Sequence, residues 1–312
     1  MAEAASPSDD EVLAVIVAAA RAAGAIIRAS SGRIAVEATK ATVQDLVTKA
    51  DKECQDLIER AVLAAFPAAA FLGEESVGAG SAASAAALER ALAPRSELLF
   101  VVDPIDGTAN FVHGVPFSCV SIGVARCNEL AVACIYEPYR DELFTAVRGR
   151  GASLNGARMA VSPEPDFSRA MLAYGLGSSP RVAAVMLRAV GAVQEGSRGQ
   201  RSLGSAALHL AYVAAGRLDA SLDMSLSCWD SAAGALLVAE AGGRVTSFGG
   251  GPFGLATRDT LATNGLIHEA LQSALAEAGA VPPPPEAPAP ALAPAPALAP
   301  APAPAPGAAS AP

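Results

Sequence analysis

The stretch Val101-Val-Asp-Pro-Ile-Asp-Gly-Thr-Ala-Asn-Phe111 decides how the rest of this sequence is interpreted. It continues an apolar run that starts at Glu97, so a short strand delivers Asp103 to its end. Pro104 fixes the turn and Asp106 follows, so two carboxylates can converge without a helix between them. Oxygen ligands of this kind suit Mg²⁺. The stretch therefore predicts a magnesium site at the end of a strand.

Gly107 and Thr108 follow the second carboxylate and expose backbone N–H groups. If a helix begins here, its N-terminus attracts a phosphate anion, and metal and phosphate would lie side by side. A strand followed by an Asp-Gly turn is also an ordinary loop pattern, so Asp106-Gly107 alone does not identify a catalytic site. The complete string through Phe111 favours a catalytic interpretation.

That string resembles the pattern D-P-[ID]-D-G-T-x-N-F of the inositol monophosphatase family. Four short elements in the family's order are hard to obtain by accident, and the resemblance extends from Asp9 to Ala278. The three other elements are Asp45-Leu-Val-Thr-Lys-Ala-Asp51, Gly73-Glu-Glu-Ser76, and Cys228-Trp-Asp-Ser-Ala-Ala-Gly234 with Glu240-Ala-Gly-Gly243.

The resemblance implies Mg²⁺-dependent hydrolysis of a small polyol or sugar monophosphate, such as myo-inositol 1-phosphate. Its implied fold is the layered α+β sugar-phosphatase fold, αβαβα, in which helices cover mixed or antiparallel sheets. Asp141-Glu-Leu-Phe144 and Gly216-Arg-Leu-Asp219 look like plant and algal members that also handle L-galactose 1-phosphate. Inhibition by lithium and a homodimer are further expectations from the family.

The resemblance also assigns metal ligands. Glu74, Asp103 and the backbone carbonyl of Ile105 would hold a first Mg²⁺, and Asp103, Asp106 and Asp230 would hold a second, with Asp103 bridging. In such a site one ion lowers the pKa of the attacking water and the other stabilises the leaving oxygen. A weaker third ion near Glu74 belongs to the same pattern.

Two local alternatives stay open beside these assignments. Thr108 and Asp51 resemble the pair that orients and deprotonates the attacking water, with Glu74 completing the catalytic set. Thr48-x-x-Asp51 also resembles a capping box, in which the acid only satisfies a helix terminus. Asp230, at the start of an expected amphipathic helix, suits a helix cap as well as a ligand.

Substrate hydroxyls would be read by Gly204-Ser-Ala206 and by Asp223, where the family commonly has a glutamate. The shorter aspartate retracts by one methylene, so either a water bridges the contact or the preferred polyol differs. Arg201-Ser-Leu-Gly204 is alternatively a polar turn before a helix. With the metal and phosphate ligands, the implied substrate-binding set is Glu74, Ile105, Asp106, Gly107, Thr108, Gly204, Ser205, Ala206, Asp223 and Asp230.

The histidines receive structural interpretations. His113 is expected at the surface or in a structural role, because the metal chemistry supplies its own nucleophile, and His209 and His268 lie on helical patterns. No acid-histidine-serine arrangement makes Ser202 a nucleophile.

Composition sets outer limits on function. The net charge of −9 argues against a nucleic-acid partner, and the five cysteines show no CxxC spacing, which favours a reducing compartment. The acidic N-terminus lacks a basic leader, and the apolar run from Val12 to Ile27 is interrupted by Arg21 and too short to span a bilayer. We therefore expect a cytoplasmic protein with no membrane partner.

Periodicity predicts stacked α and β layers with both faces of a sheet covered. Predicted helices cover residues 9–31, 48–65, 203–215 and 229–241, and predicted strands cover 97–102, 118–125, 130–136, 143–147 and 218–222. Residues 1–280 form the predicted catalytic domain, and the Ala-Pro alternation of residues 281–312 predicts a disordered tail.

Other functions of the same fold stay open. They are histidinol-phosphate phosphatase, fructose bisphosphatase and nucleotide 3'-phosphatase, and bisphosphates would need a second anion pocket, for which Arg198 and Arg201 are the nearby candidates. A non-catalytic scaffold acting through its tail is the alternative from another class.

Overall fold

The computed structural model describes residues 6–33, 36–39, 46–177, 179–280 and 282. The described helices are α1 (Asp9–Ser30), α2 (Lys49–Ala65), α3 (Ser81–Leu92), α4 (Thr108–His113), α5 (Pro180–Gln194), α6 (Ala206–Ala214), α7 (Cys228–Glu240) and α8 (His268–Glu277). The described strands are β1 (Val36–Thr39), β2 (Leu46–Thr48), β3 (Ala70–Gly73), β4 (Leu99–Asp106), β5 (Cys119–Arg126), β6 (Glu129–Glu137), β7 (Glu142–Val147), β8 (Gly151–Leu154), β9 (Ala157–Met159), β10 (Met171–Tyr174), β11 (Gly199–Arg201), β12 (Ala220–Met224), β13 (Arg244–Ser247) and β14 (Asp259–Thr263).

Two large sheets organise the chain. The first has seven strands in the order β3-β4-β5-β6-β7-β8-β9, and every neighbouring pair is antiparallel except β3 and β4. The second has five strands in the order β11-β10-β12-β14-β13, with parallel pairing as far as β12 and antiparallel pairing beyond it. The short strands β1 and β2 pair separately.

The helices form three layers around these sheets. In β4, Phe100 and Val102 face the core under α1 and α2, whereas Leu99 and Val101 face the opposite side, as the two-residue period of a strand requires. Helices α6 and α7 fill the space between the two sheets, and α5 and α8 cover the outer face of the five-stranded sheet. The predicted αβαβα architecture is therefore confirmed.

The prediction that α7 is amphipathic was wrong. Ten of its residues are buried, from Cys228 to Val238, because the large sheet lies on one side of the helix and β13 and β14 on the other. A helix enclosed by two sheets has no solvent face to mark with polar residues. Gly123 of β5 allows the close approach, since a Cβ there would lie 2.8 Å from the Cβ of Ala232.

Helix α1 also differs from what the sequence predicted. By length and composition alone it is long and apolar enough to cross a membrane, so the judgement that this run is too short was wrong. In the fold, Val12, Ile16 and Ile27 are fully buried against the seven-stranded sheet. The helix begins at Asp9, as predicted, because Ser8 and Glu11 form a complete capping box there.

The other predicted elements are recovered with shifted ends. The helix predicted over residues 203–215 starts at Ala206, because the Ser205 side chain caps it, and the strand predicted over 97–102 continues to Asp106. Asp45 and the tail beyond Ala280, Pro282 apart, lie outside the described residues, so the predicted disorder of the tail stays a prediction.

Candidate active site

A bulge at the end of β4 brings two carboxylates to one side of the sheet. Asp103 pairs with Ser121 and Asp106 with Cys119, so β4 holds one residue more than β5 between these two pairs. In a regular strand, residues three apart point to opposite faces, and one extra residue reverses that relation. Asp103 and Asp106 are both buried, and Ile105 N–H donates to Asp103 Oδ1 at 3.0 Å.

Asp230 completes an acidic cluster with these two residues. Asp103, Asp106 and Asp230 each place one carboxylate oxygen so that the three atoms lie within 4.8 Å of one another. Asp230 stands in the first turn of α7, where its Oδ2 accepts a hydrogen bond from Ser227 N–H at 2.7 Å. It therefore caps the helix and joins the cluster at the same time, so the capping interpretation is confirmed and the ligand interpretation stays a prediction.

The electrostatics of this cluster are unfavourable without a cation. Burial raises the pKa of Asp106, and burial together with Glu74 and Asp106 raises the pKa of Asp230 well above its usual range. Like charges gathered in a poorly hydrated place favour either protonation or a bound cation. A set of hard carboxylate oxygens fits a divalent cation of the Mg²⁺ type, so the residues present suit the metal that the fold implies.

Glu74 lies close enough to the cluster to raise the pKa of Asp230 beyond the effect of burial, and Asp51 lies near the neighbouring Glu75. Glu74 begins a 3₁₀ turn, Glu74–Ser76, directly after β3. Gln55 of α2 ties this turn to the helix, because its Oε1 accepts from Glu75 N–H and its Nε2 donates to Ser76 Oγ, both at 2.8 Å. The start of α2, with Asp51, is thereby fixed beside the Glu74–Ser76 turn.

Asp51 is a buried carboxylate in a capping box. Its Oδ2 accepts from Thr48 N–H at 2.8 Å and from Thr48 Oγ1 at 2.6 Å. Burial raises the pKa of Asp51 to about 6, and the nearby Glu75 carboxylate adds to the rise. The capping interpretation is therefore correct as a description of contacts. A carboxyl group with this pKa is also suited to accept a proton near neutral pH.

The turn after Asp106 admits only glycine. Gly107 has a φ of 91°, and a Cβ there would lie 3.0 Å from the Phe117 carbonyl oxygen and 3.2 Å from that of Gly204. Helix α4 then starts at Thr108, whose Oγ1 donates to the Ile105 carbonyl at 3.0 Å. The predicted neighbours Ile105, Gly107, Thr108 and Gly204 therefore lie together at this turn.

Asn110 and Ser205 hold the loop before α6 against the acidic centre. Asn110 Nδ2 donates to the carbonyl oxygens of Phe117 at 2.8 Å and Leu203 at 2.7 Å. Ser205 Oγ donates to Asp106 Oδ2, and Ala207 N–H donates to the same oxygen at 2.9 Å. Sequence reasoning assigned Ser205 to the substrate and gave Asn110 no role, although Asn110 belongs to the diagnostic string.

Asp223 is buried and paired with a histidine. It lies at the end of β12, and its two carboxylate oxygens are 3.2 and 3.4 Å from His209 Nδ1. Ala206 is partly exposed at the start of α6. The structural interpretations of the histidines agree with their positions: His209 and His268 are buried and hydrogen-bonded, and His113 is exposed at the end of α4.

The αβαβα fold and the buried carboxylate cluster at a strand end are together suited to metal-dependent hydrolysis of phosphoric monoesters. Comparison with known families makes the class specific: the model of the inositol monophosphatase family matches residues 8–280. The chain belongs to the inositol monophosphatase family.

Individual relatives agree with this assignment. Inositol monophosphatase 2 of Solanum lycopersicum is 40% identical over 273 residues, which cover 86% of this chain and 99% of the relative. The crystal structure of the extragenic suppressor protein suhB from Bartonella henselae has a TM-score of 0.76 at 37% identity, covering 85% of this chain and 98% of that one. The inositol monophosphatase structure from Anabaena has a TM-score of 0.72 at 33% identity, and the match covers 86% of this chain and 96% of the Anabaena chain.

Proposed function

We propose that this chain is a Mg²⁺-dependent phosphatase of small polyol or sugar monophosphates, and that myo-inositol 1-phosphate is one of its substrates. The convergence of Asp103, Asp106 and Asp230 within 4.8 Å is the observation that carries the proposal. Family membership supports hydrolysis of an inositol phosphate type of ester. The choice of Mg²⁺ rests on the all-oxygen ligand set.

In this proposal the metal ligands are Glu74, Asp103, Asp106, Asp230 and the Ile105 carbonyl. Bound divalent cations would lower the pKa of a water and neutralise charge on the leaving oxygen. The protein's own part is to hold the ligands in place. Ser205 and Ala207 fix the Asp106 carboxylate, and Ser227 fixes that of Asp230.

Proton transfer would fall to Asp51 and Thr108. Asp51 keeps acceptor capacity, because Thr48 uses one of its carboxylate oxygens and a carboxylate offers about four acceptor sites. The Thr108 hydroxyl hydrogen is directed at the Ile105 carbonyl, so its oxygen lone pairs are available to orient a water. In this proposal Thr108 would orient the nucleophilic water by accepting its hydrogen bond, and the Asp51 carboxylate would take up the proton that the water loses.

The test is phosphate release from a panel of esters with Mg²⁺ and with the metal removed by EDTA. The panel holds myo-inositol 1-phosphate, L-galactose 1-phosphate, histidinol phosphate, fructose 1,6-bisphosphate and a nucleoside 3',5'-bisphosphate. We expect metal-dependent turnover of inositol phosphate and none by the Asp103→Asn variant. Failure to release phosphate from any ester would refute the proposal, and turnover that persists in EDTA would refute its metal chemistry.

L-Galactose 1-phosphate is proposed as a second substrate on sequence similarity alone. The stretch that suggested it, Gly216-Arg-Leu-Asp219, serves the fold, because Asp219 Oδ2 accepts from Met171 N–H at 2.7 Å and Asp219 Oδ1 accepts from Ser162 Oγ. The panel decides this point, since a rate on the galactose ester far below that on the inositol ester would remove the second substrate.

The assembly and location of the enzyme belong to the same proposal. We propose a homodimer, and a monomer mass in light scattering would contradict it. A cytoplasmic location is supported by the cysteines, which are all free thiols, four of them buried. Inhibition by Li⁺ is expected if the second metal position is intact.

A further inference from the structure

His209 and Asp223 form a buried pair whose protonation geometry can be assigned from its hydrogen bonds. Their side chains are 1% and 4% exposed. Leu203 N–H donates to His209 Nε2 at 3.3 Å, so Nε2 acts as the acceptor of a neutral imidazole. The ring proton is therefore on Nδ1, directed at the Asp223 carboxylate 3.2 Å away. The pair keeps the negative charge of Asp223 in a buried place.

The pair lies beside the acidic centre without belonging to it. His209 is one turn after Ser205 on α6, with its N–H bonded to the Ser205 carbonyl at 3.0 Å, and Ser205 contacts Asp106. In addition to burial, the negative charge of Asp223 raises the pKa of Asp106, which places the pair close to that residue. The pair is therefore linked through Ser205 to Asp106, the residue before the proposed phosphate-binding turn.

Asp223 retains capacity to bind a ligand. An ionised carboxylate has about four acceptor sites, and among the described residues only His209 donates to it. Gly175 leaves room for the carboxylate, because a Cβ at that position would lie 2.6 Å from Asp223 Oδ1, the oxygen nearer to His209 Nδ1. Asp223 Oδ1 therefore lies close to both His209 and Gly175, and these neighbours limit the orientations that the carboxylate can adopt.

Resting on the proposed function, we infer that His209 is a positioning residue that aims the spare acceptor sites of Asp223 at a hydroxyl group of the substrate. Asp223 is too short to reach far, so its fixed orientation decides which hydroxyls it can accept. A buried acceptor left without its hydroxyl partner is costly, and such sites reject analogues that lack the hydroxyl. His209 thereby sets the preference for hydroxyl-rich esters over esters that carry none.

Two substitutions at His209 separate its two hydrogen bonds. In His209→Asn the amide nitrogen stands near the place of Nδ1 and can still donate to Asp223. In His209→Gln the amide stands near the place of Nε2 and can serve only Leu203. The readout is kcat/KM for myo-inositol 1-phosphate divided by kcat/KM for p-nitrophenyl phosphate, which has no hydroxyl group. We expect this ratio to fall at least about tenfold in His209→Gln and to stay within about threefold in His209→Asn.

Equal changes in both variants, or an unchanged ratio in His209→Gln, would overturn the inference, because the histidine would then only support the loop. If circular dichroism shows that His209→Gln does not fold, Gly175→Ala decides, since its Cβ would displace the Asp223 oxygen that His209 contacts without changing His209 itself. Loss of the preference in that variant supports the inference, and a retained preference overturns it. A wild-type enzyme that hydrolyses both esters equally well defeats the role of His209 and leaves the phosphatase standing. Release of phosphate from neither ester defeats both.

Discussion

Replacing Asp51 by asparagine should stabilise the metal-free protein at neutral pH while removing its activity. Burial raises the pKa of Asp51 from its ordinary 3.8 to about 6. When a group has a higher pKa in the folded state than in the unfolded state, its protonated form stabilises the folded protein. This stabilisation is complete below the unfolded-state pKa and is lost as the pH rises through the folded-state pKa. At about 1.4 kcal/mol per pKa unit, the charged Asp51 costs the folded state about 3 kcal/mol at pH 7.5 or above.

The pH dependence isolates this effect from any fixed consequence of the amide. From these pKa values, about 2 kcal/mol of the cost should develop between pH 4.5 and pH 7.5. The assay is urea unfolding in EDTA at both pH values for the wild type and Asp51→Asn. We expect the free energy of unfolding of the variant, relative to the wild type, to increase by about 2 kcal/mol from the lower to the higher pH.

Asp56→Asn is the matched control, because Asp56 is an exposed acid on the same helix. Its effect should be small and nearly independent of pH, as for most surface substitutions. A constant difference between Asp51→Asn and the wild type across this pH range would refute the burial argument. Wild-type turnover by the variant would refute Asp51 as the proton acceptor.

Three further predictions concern the metal ligands and the turn beside them. Asp106→Asn should bind Mg²⁺ at least about tenfold more weakly in calorimetry, because one of three clustered carboxylates loses its charge. Mg²⁺ at about 100 times its Kd should stabilise the wild type by about 2.7 kcal/mol in thermal unfolding, and Asp106→Asn much less at the same concentration. Gly107→Ala should destabilise the protein by about 1 to 3 kcal/mol in urea unfolding, because its backbone is left-handed and its Cβ would crowd the Phe117 carbonyl.

Gly149→Ala serves as the control for that last variant, since Gly149 has a φ of 72° and nothing within 4 Å of a Cβ. Equal costs at the two glycines would mean that the crowding at Gly107 has no effect. Unchanged Mg²⁺ affinity in Asp106→Asn would remove Asp106 from the ligand set. Equal thermal shifts for both proteins at that Mg²⁺ concentration would show that the stabilising ion binds elsewhere.

The strands of the large sheet were predictable because their sequence pattern is strong. Strands β5 and β6 are long apolar runs separated by the polar turn at Cys127-Asn128, and their predicted ends are within one residue of the observed ones. Strands of the smaller sheet, such as β10, β11 and β13, have only three or four residues, too few to show a period. Helix α5 was missed although Ser179 and Pro180 form an ordinary N-terminal signal.

The candidate site was predictable in its residue types more than in its geometry. The string from Asp103 to Phe111 named the carboxylates, but only the three-dimensional register reveals the bulge that turns both to one side. The partnership of His209 with Asp223 joins a helix to a strand across 14 residues, and no local pattern links them. Asp223 and Ser205 were predicted to bind substrate, and each has a protein partner in the fold, so their contact with substrate stays a prediction.

The single extra residue in β4 makes spacing as important to this enzyme as chemistry. If these residues paired with β5 without the bulge, at the same spacing, one of the two acids would turn toward α1 and α2, into the apolar layer. A substitution can weaken one ligand, whereas loss of the bulge would divide the cluster. The bulge and the spacing of the acids therefore depend on each other, and variation is expected in the side chains between the acids before it is expected in the number of residues there.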